Sequence, residues 1–131
     1  MNGKPRLRKI LAIDDELGML ELMKNLLGPE GHMVLCAAGG AEGVRLNKLE
    51  NPDLIILDLR MPEMGGIETL RQIREHDSNV LVVILTGYGD SDSIRDAADL
   101  NVSEYLSKPF ENKQLIHVVN NAFGRLVGET R

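Results

Sequence analysis

Five short apolar runs, rich in β-branched residues, alternate along this chain with stretches whose apolar residues recur at helical spacing. The first run, Ile10-Leu11-Ala12-Ile13, stops at Asp14-Asp15-Glu16. A helix follows, with Leu20, Met23 and Leu27 on one stripe and Met19, Leu22 and Leu26 beside it, and Gly28-Pro29 ends it. The second strand covers 32–38, and the next helix 41–49, with Ala41, Val44 and Lys48 on its inward stripe. Pro52 restarts the chain before the third strand, which ends in Asp58. A loop over 59–66 leads into a helix over 67–75, and 80–86 is the fourth strand. Ser91 is placed as the cap of a short helix reaching about Leu100, with Ile94, Ala97 and Ala98 as its apolar face. Asn101 suits the left-handed conformation that often follows a helix. A weak fifth strand covers 103–107, Pro109 breaks the chain, and a last helix runs from Glu111 to about Val127.

Strict alternation calls for parallel strands joined by right-handed crossovers, that is, an α/β doubly wound five-stranded parallel sheet with five helices. The third and fourth runs are continuously apolar, as in strands buried on both faces. With 131 residues the chain has the size of one domain, and its 43% hydrophobic content supports a packed core. A net charge of −5 argues against binding nucleic acid, so Lys4, Arg6, Arg8 and Lys9 read as a solvated arm. No window approaches the roughly 20 apolar residues of a membrane span, and no signal peptide is evident. The lone cysteine, Cys36, cannot form an internal disulfide, which fits a reducing compartment, and a cytoplasmic location is expected.

In such a sheet, ligands collect at the carboxyl ends of the strands. Strand one ends in Asp14-Asp15, strand three in Asp58, strand four in Thr86, and strand five just before Lys108. Each has an ordinary explanation taken singly: a helix dipole partner, a turn, a strand residue, a surface charge. Taken together they fall at the one edge where function is expected. Two like charges about 4 Å apart cost roughly 4 kcal/mol at an effective dielectric of 20, so clustered carboxylates call for a cation. Oxygen-only ligands point to Mg²⁺, with Mn²⁺ as an alternative, and away from zinc, since His32, His76 and His117 lie elsewhere. An aspartate can act as nucleophile toward a phosphoryl group, while a lysine, a hydroxyl and a metal neutralise the transferring oxygens.

Four segments, 13–16, 58–62, 86–90 and 105–110, occur in the order and at the spacing of one family. In them the chain resembles the receiver domains of two-component response regulators over residues 8–127, leaving a flexible arm (1–7) and a C-terminal tail (128–131). The resemblance implies a flavodoxin-like sheet of order 2-1-3-4-5. It implies that Asp58 is the phosphoacceptor and that Asp14, Asp15, Asp58 and the backbone carbonyl of Arg60 hold the metal. Lys108, before a cis Pro109, and Thr86 would bind the phosphoryl group. Thr86 and Tyr105 would form the switch that reshapes the face of helix four, strand five and helix five, carrying Asp92, Arg95, Asp96, Asp99, Tyr105, Lys113 and His117. Arg60 and Tyr88 flank the pocket and are candidates for tuning the phosphoryl lifetime.

The expected partners are a cognate histidine kinase or phosphotransfer protein and an output domain or protein; a homodimer of the phosphorylated form is an arrangement left open. The chain departs from the family at Met64-Gly65-Gly66, where an Asp usually precedes the glycine, and at Leu100-Asn101-Val102, which replaces Leu-Gly-Ala. A phosphatase of the aspartyl-phosphate type would need a second Asp at position 60, which is Arg. A nucleotide-binding module would need a glycine-rich phosphate loop after strand one, where acids stand instead. A receiver that works by contacts alone is at odds with the intact Asp14, Asp15, Asp58, Thr86 and Lys108 set.

Overall fold

The computed structural model describes residues 7–126. Apart from Leu7, the expected arm (1–7) and tail (128–131) lie outside the described residues, whereas Arg8 and Lys9, read as part of a solvated arm, are half-buried in the first strand, where Lys9 Nζ donates to the Glu50 carbonyl at 2.8 Å. The elements run β1 (Arg8–Ile13), α1 (Leu17–Leu27), β2 (His32–Ala37), α2 (Gly40–Glu50), β3 (Leu54–Asp58), α3 (Gly66–Arg74), β4 (Leu81–Thr86), α4 (Ser91–Asp96), β5 (Glu104–Ser107) and α5 (Asn112–Leu126). The five strands form one parallel sheet in the order β2-β1-β3-β4-β5.

Side chains alternate across a strand, so each central strand feeds two cores. Ile10, Ala12, Leu54, Ile56, Val83 and Leu85 point to the face covered by α1 and α5, meeting Leu20, Met23, Leu27, Leu115, Val119 and Phe123. Leu11, Ile13, Ile55, Leu57, Val82 and Ile84 point to the other face, against Val44, Leu70, Ile73 and Ala97. This two-sided burial explains why β3 and β4 read as unbroken apolar runs. Among the described residues no helix is long and apolar enough to cross a membrane.

Three local expectations need correction. The inward face of α2 is Gly40, Gly43, Val44 and Asn47, while Ala41 and Lys48 are exposed. Close packing is the reason: a Cβ on Gly43 would lie 2.5 Å from Cδ1 of Ile13. Helix α4 ends at Asp96 and not near Leu100, and Ala98 is exposed while Ala97 is buried. Ser91 is the first helical residue; the cap position belongs to Asp90. Asn101 does take the left-handed conformation, at φ 60°, and the Lys108-Pro109 bond is cis.

At the amino end of the sheet, His32 stacks on Phe123 of α5 with ring centroids 5.4 Å apart, and the Arg8 guanidinium lies 4.3 Å from the same ring's centroid. Nδ1 of His32 is buried without a hydrogen-bond partner among the described residues. Burial, with the Arg8 charge adding, holds the imidazole below its ordinary pKa. The folded state therefore favours the neutral ring, and the unfolded chain binds more protons as pH falls below 6.5. Stability is expected to decline through that window, and His32→Phe to flatten the decline. Melting temperatures of both proteins between neutral and mildly acidic pH check this, and parallel profiles would count against it.

Candidate functional site

The carboxyl ends of β1, β3 and β4 and the residue after β5 meet at one edge of the sheet. Register places them there: Ile13 lies beside Leu57, Asp58 beside Leu85, and Thr86 beside Ser107. Asp14, Asp15 and Asp58 each offer a carboxylate oxygen within 4.8 Å of the others. Asp14 is fully buried, Asp58 is 6% exposed, and Asp15 faces solvent.

Lys108 reaches into this group. Its Nζ donates to Asp58 Oδ1 at 2.9 Å and lies 3.7 Å from Asp14 Oδ2. Its backbone N–H donates to the Thr86 carbonyl at 2.7 Å, which fixes the lysine to the end of β4. The Thr86 residue itself is buried. Tyr105 stands on the edge strand β5, beside Ile84, and is 39% exposed.

The electrostatics follow from burial. Burial raises the Asp14 carboxyl to about 6; the Glu16 N–H and Lys108 oppose this, while Asp58 and Glu16 add to it. Burial also raises Asp58, against its bond and charge pairing with Lys108. Burial works to lower Lys108, but its hydrogen bond to Asp58 and the charges of Asp58, Asp14 and Glu16 outweigh it and raise the ammonium. One ammonium thus serves a group of carboxylates that exceeds it in charge. Asp14 Oδ1 accepts the Glu16 N–H at 2.9 Å, while its Oδ2 is buried with no hydrogen-bond partner among the described residues. An orphaned buried oxygen beside two other carboxylates is what a hard divalent cation would satisfy, so these residues fit a metal.

The cleft above Asp58 has a volume of about 260 Å³ and is lined by Asp15, Glu16, Asp58, Arg60, Gly87, Asp90 and Lys108. Arg60 lines it and is joined to Tyr88, which does not: Arg60 Nη2 donates to the Tyr88 carbonyl at 2.6 Å, while the Tyr88 side chain is fully exposed. Sequence alone does not single out Asp90. It is buried, ion-paired with Arg60 at 2.8 Å, and bonded to the Gly87 N–H at 2.6 Å. In the sequence it is one more loop residue beside Ser91, which reads as the cap, and nothing there signals an ion pair with a residue thirty positions earlier.

A sequence model of the family described as the response regulator receiver domain matches residues 10–120. The sporulation initiation phosphotransferase F of Bacillus subtilis is 36% identical over 103 residues, covering 79% of this chain and 83% of that protein. The transcriptional regulatory protein GlrR of Escherichia coli is 35% identical over 122 residues; the match takes in 93% of this chain but 27% of GlrR. A crystal structure of a response regulator receiver domain protein from Clostridium thermocellum superposes with a TM-score of 0.86 at 37% identity, covering 95% of this chain and 100% of that one.

Proposed function

The chain belongs to the response-regulator receiver family, and from that premise we propose that it is a phosphorylation switch in which Asp58 accepts a phosphoryl group from a histidine kinase or phosphotransfer protein. The observation that carries this reading is the buried Asp58 carboxylate, 2.9 Å from Lys108 Nζ and grouped with Asp14 and Asp15 at the rim of an open cleft.

An Asp58 oxygen attacks phosphorus in line. The bond from phosphorus to the donor's imidazole nitrogen breaks, and that nitrogen keeps the electron pair. Asp14, Asp15, Asp58 and the Arg60 carbonyl would hold Mg²⁺, or Mn²⁺. The ion would supply positive charge to offset the carboxylates and the oxygens of the transferring group. Lys108 stays paired with the acceptor and then shares its charge with a phosphoryl oxygen. The Thr86 hydroxyl donates to another. No histidine lines the cleft to activate water, so the acyl phosphate persists as a stored signal. Arg60 and the Tyr88 joined to it set how easily water reaches it.

The chain is a signalling regulator and transforms no substrate other than itself. Thr86 and Tyr105 carry the change to the face of α4, β5 and α5, whose partner is an output domain or protein, with a dimer of the phosphorylated form as one use of that face. The setting proposed for this exchange is the cytoplasm.

The test is intact-protein mass after incubation with acetyl phosphate, with and without Mg²⁺, alongside Asp58→Asn. The expected result is a gain of one phosphoryl group in the wild type with Mg²⁺, and none without the metal or in the variant. A gain that survives Asp58→Asn would move the acceptor elsewhere. No gain, together with no amide shifts on adding beryllofluoride, would favour a domain that works by contacts alone.

A further inference from the structure

Asp90 is a buried carboxylate that the transfer reaction leaves unused. It occupies the cap position of α4, where an aspartate ordinarily accepts an N–H from the second or third helical residue. It makes no such bond. Its two oxygens turn back instead: Oδ2 accepts the Gly87 N–H at 2.6 Å and Oδ1 accepts Arg60 Nε at 2.8 Å. Arg60 continues to the Tyr88 carbonyl, so one side chain from the β3–α3 loop grips the β4–α4 loop at both Tyr88 and Asp90. Gly89 keeps the space clear, since a Cβ there would lie 3.1 Å from Arg60 Nη2 on a backbone with φ +87°. Burial works to raise the Asp90 carboxyl, but the Gly87 N–H and Arg60 outweigh it and hold the group below its usual range.

Arg60, Gly87 and Asp90 line the same cleft as Asp58 and Lys108. Two donors in a cleft read as receiving an anion are thus already taken by a carboxylate of the chain itself. We propose that Asp90 is a resting-state latch: it ties the β4–α4 loop to Arg60 while Asp58 is unmodified, and a phosphoryl group on Asp58 releases it by competing for Arg60 and the Gly87 N–H, freeing Asp90 to cap α4. This rests on Asp58 being the acceptor. A phosphoryl group brings nearly two charges and three acceptor oxygens against the single charge of a carboxylate. The Arg60 side chain is 63% exposed, so giving up these two bonds disturbs no packed core. The released carboxylate would meet the Asp92 or Ser93 N–H, at the start of a helix whose cap side chain now bonds elsewhere.

A latch that favours the resting state must weaken the response to phosphoryl, and removing it must strengthen that response. The test is amide NMR with a beryllofluoride titration in Mg²⁺, the fluoride standing in for the phosphoryl group. Asp90→Asn loses the ion pair but keeps a side chain able to cap; Asp90→Ala loses both. In Asp90→Asn the half-saturating concentration is expected to fall about fivefold. Before any addition, its Gly87 to Asp96 amides should already lie part of the way along the line from free to saturated wild type. In the wild type, saturation should slow exchange of the Asp92 or Ser93 amide, and Asp90→Ala should abolish that slowing. An unchanged or higher half-saturation in Asp90→Asn, or shifts off that line, overturns the latch. Should Asp90→Asn fail to fold, Arg60→Gln breaks the same contact from its exposed side, and its unliganded amides must show the same displacement. A wild type that ignores beryllofluoride overturns the acceptor reading and the latch with it; a wild type that responds beside an unshifted variant overturns the latch alone.

Discussion

Gly66→Ala is expected to lower stability by about 2–3 kcal/mol and to disturb Asp58, the proposed phosphoacceptor, directly. Gly66 opens α3, and its Cα lies against the end of β3. A Cβ there would sit 2.5 Å from the Asp58 carbonyl oxygen and 2.7 Å from the Leu59 Cα. Both neighbours are backbone, so no side-chain rotation relieves the overlap. The Gly66 N–H also donates to the Leu59 carbonyl at 3.0 Å, which holds the two segments together. Alanine is the better helix former by roughly 1 kcal/mol, so propensity alone predicts the opposite sign. Gly18, in α1, has nothing within 4 Å of its would-be Cβ, and Gly18→Ala is expected to stabilise by about 0.5–1 kcal/mol. Denaturant midpoints of the two variants should therefore move in opposite directions. A Gly66→Ala protein as stable as wild type would mean that the β3–α3 loop can back away from the helix.

That glycine pair also shows where the sequence stops being legible. The strands announce themselves because burial on both faces demands unbroken apolar runs, as in Leu54 to Leu57 and Val82 to Leu85. The meeting of Asp14, Asp15, Asp58 and Lys108 is equally readable, since parallel strands must bring their carboxyl ends to one edge. Helix α2 is different. Its buried face includes Gly40 and Gly43, which carry no hydrophobic signal, and the polar Asn47, whose Oδ1 accepts from His76 Nε2 at 2.7 Å. A stripe count favours Ala41 and Lys48 there, and contact with Ile13 decides otherwise. Asp90 was hidden for a related reason. A loop residue beside a serine that reads as the cap carries no signal of its own, and only the position of Arg60, thirty residues earlier, reveals the use of its carboxylate.

Asp14→Asn is expected to stabilise the metal-free protein by about 1–3 kcal/mol while abolishing its response to magnesium. Asp14 is wholly buried, and its Oδ2 has no hydrogen-bond partner among the described residues. The single nearby ammonium is 3.7 Å away and bonds Asp58 instead, at 2.9 Å. A buried charge left short of partners opposes folding, and burial accordingly raises this carboxyl to about 6. Asparagine keeps the shape and the oxygen that accepts the Glu16 N–H, and removes the charge. For a domain of this size the gain corresponds to a rise in melting temperature of several degrees, roughly 2–4 °C per kcal/mol. Magnesium should act in the reverse sense. An ion held by Asp14, Asp15 and Asp58 binds the folded chain alone and stabilises the wild type with concentration, whereas the variant lacks one ligand and should stay flat. Melting curves of both proteins across a magnesium titration should therefore converge or cross. A variant less stable than wild type without metal would mean that Lys108 already satisfies Asp14. A variant with an undiminished magnesium response would place the ion elsewhere. The expected pattern would tie the cost of the site to its proposed function: carboxylates that repel one another are the ones a cation would draw together, with the proposed phosphoacceptor Asp58 among them.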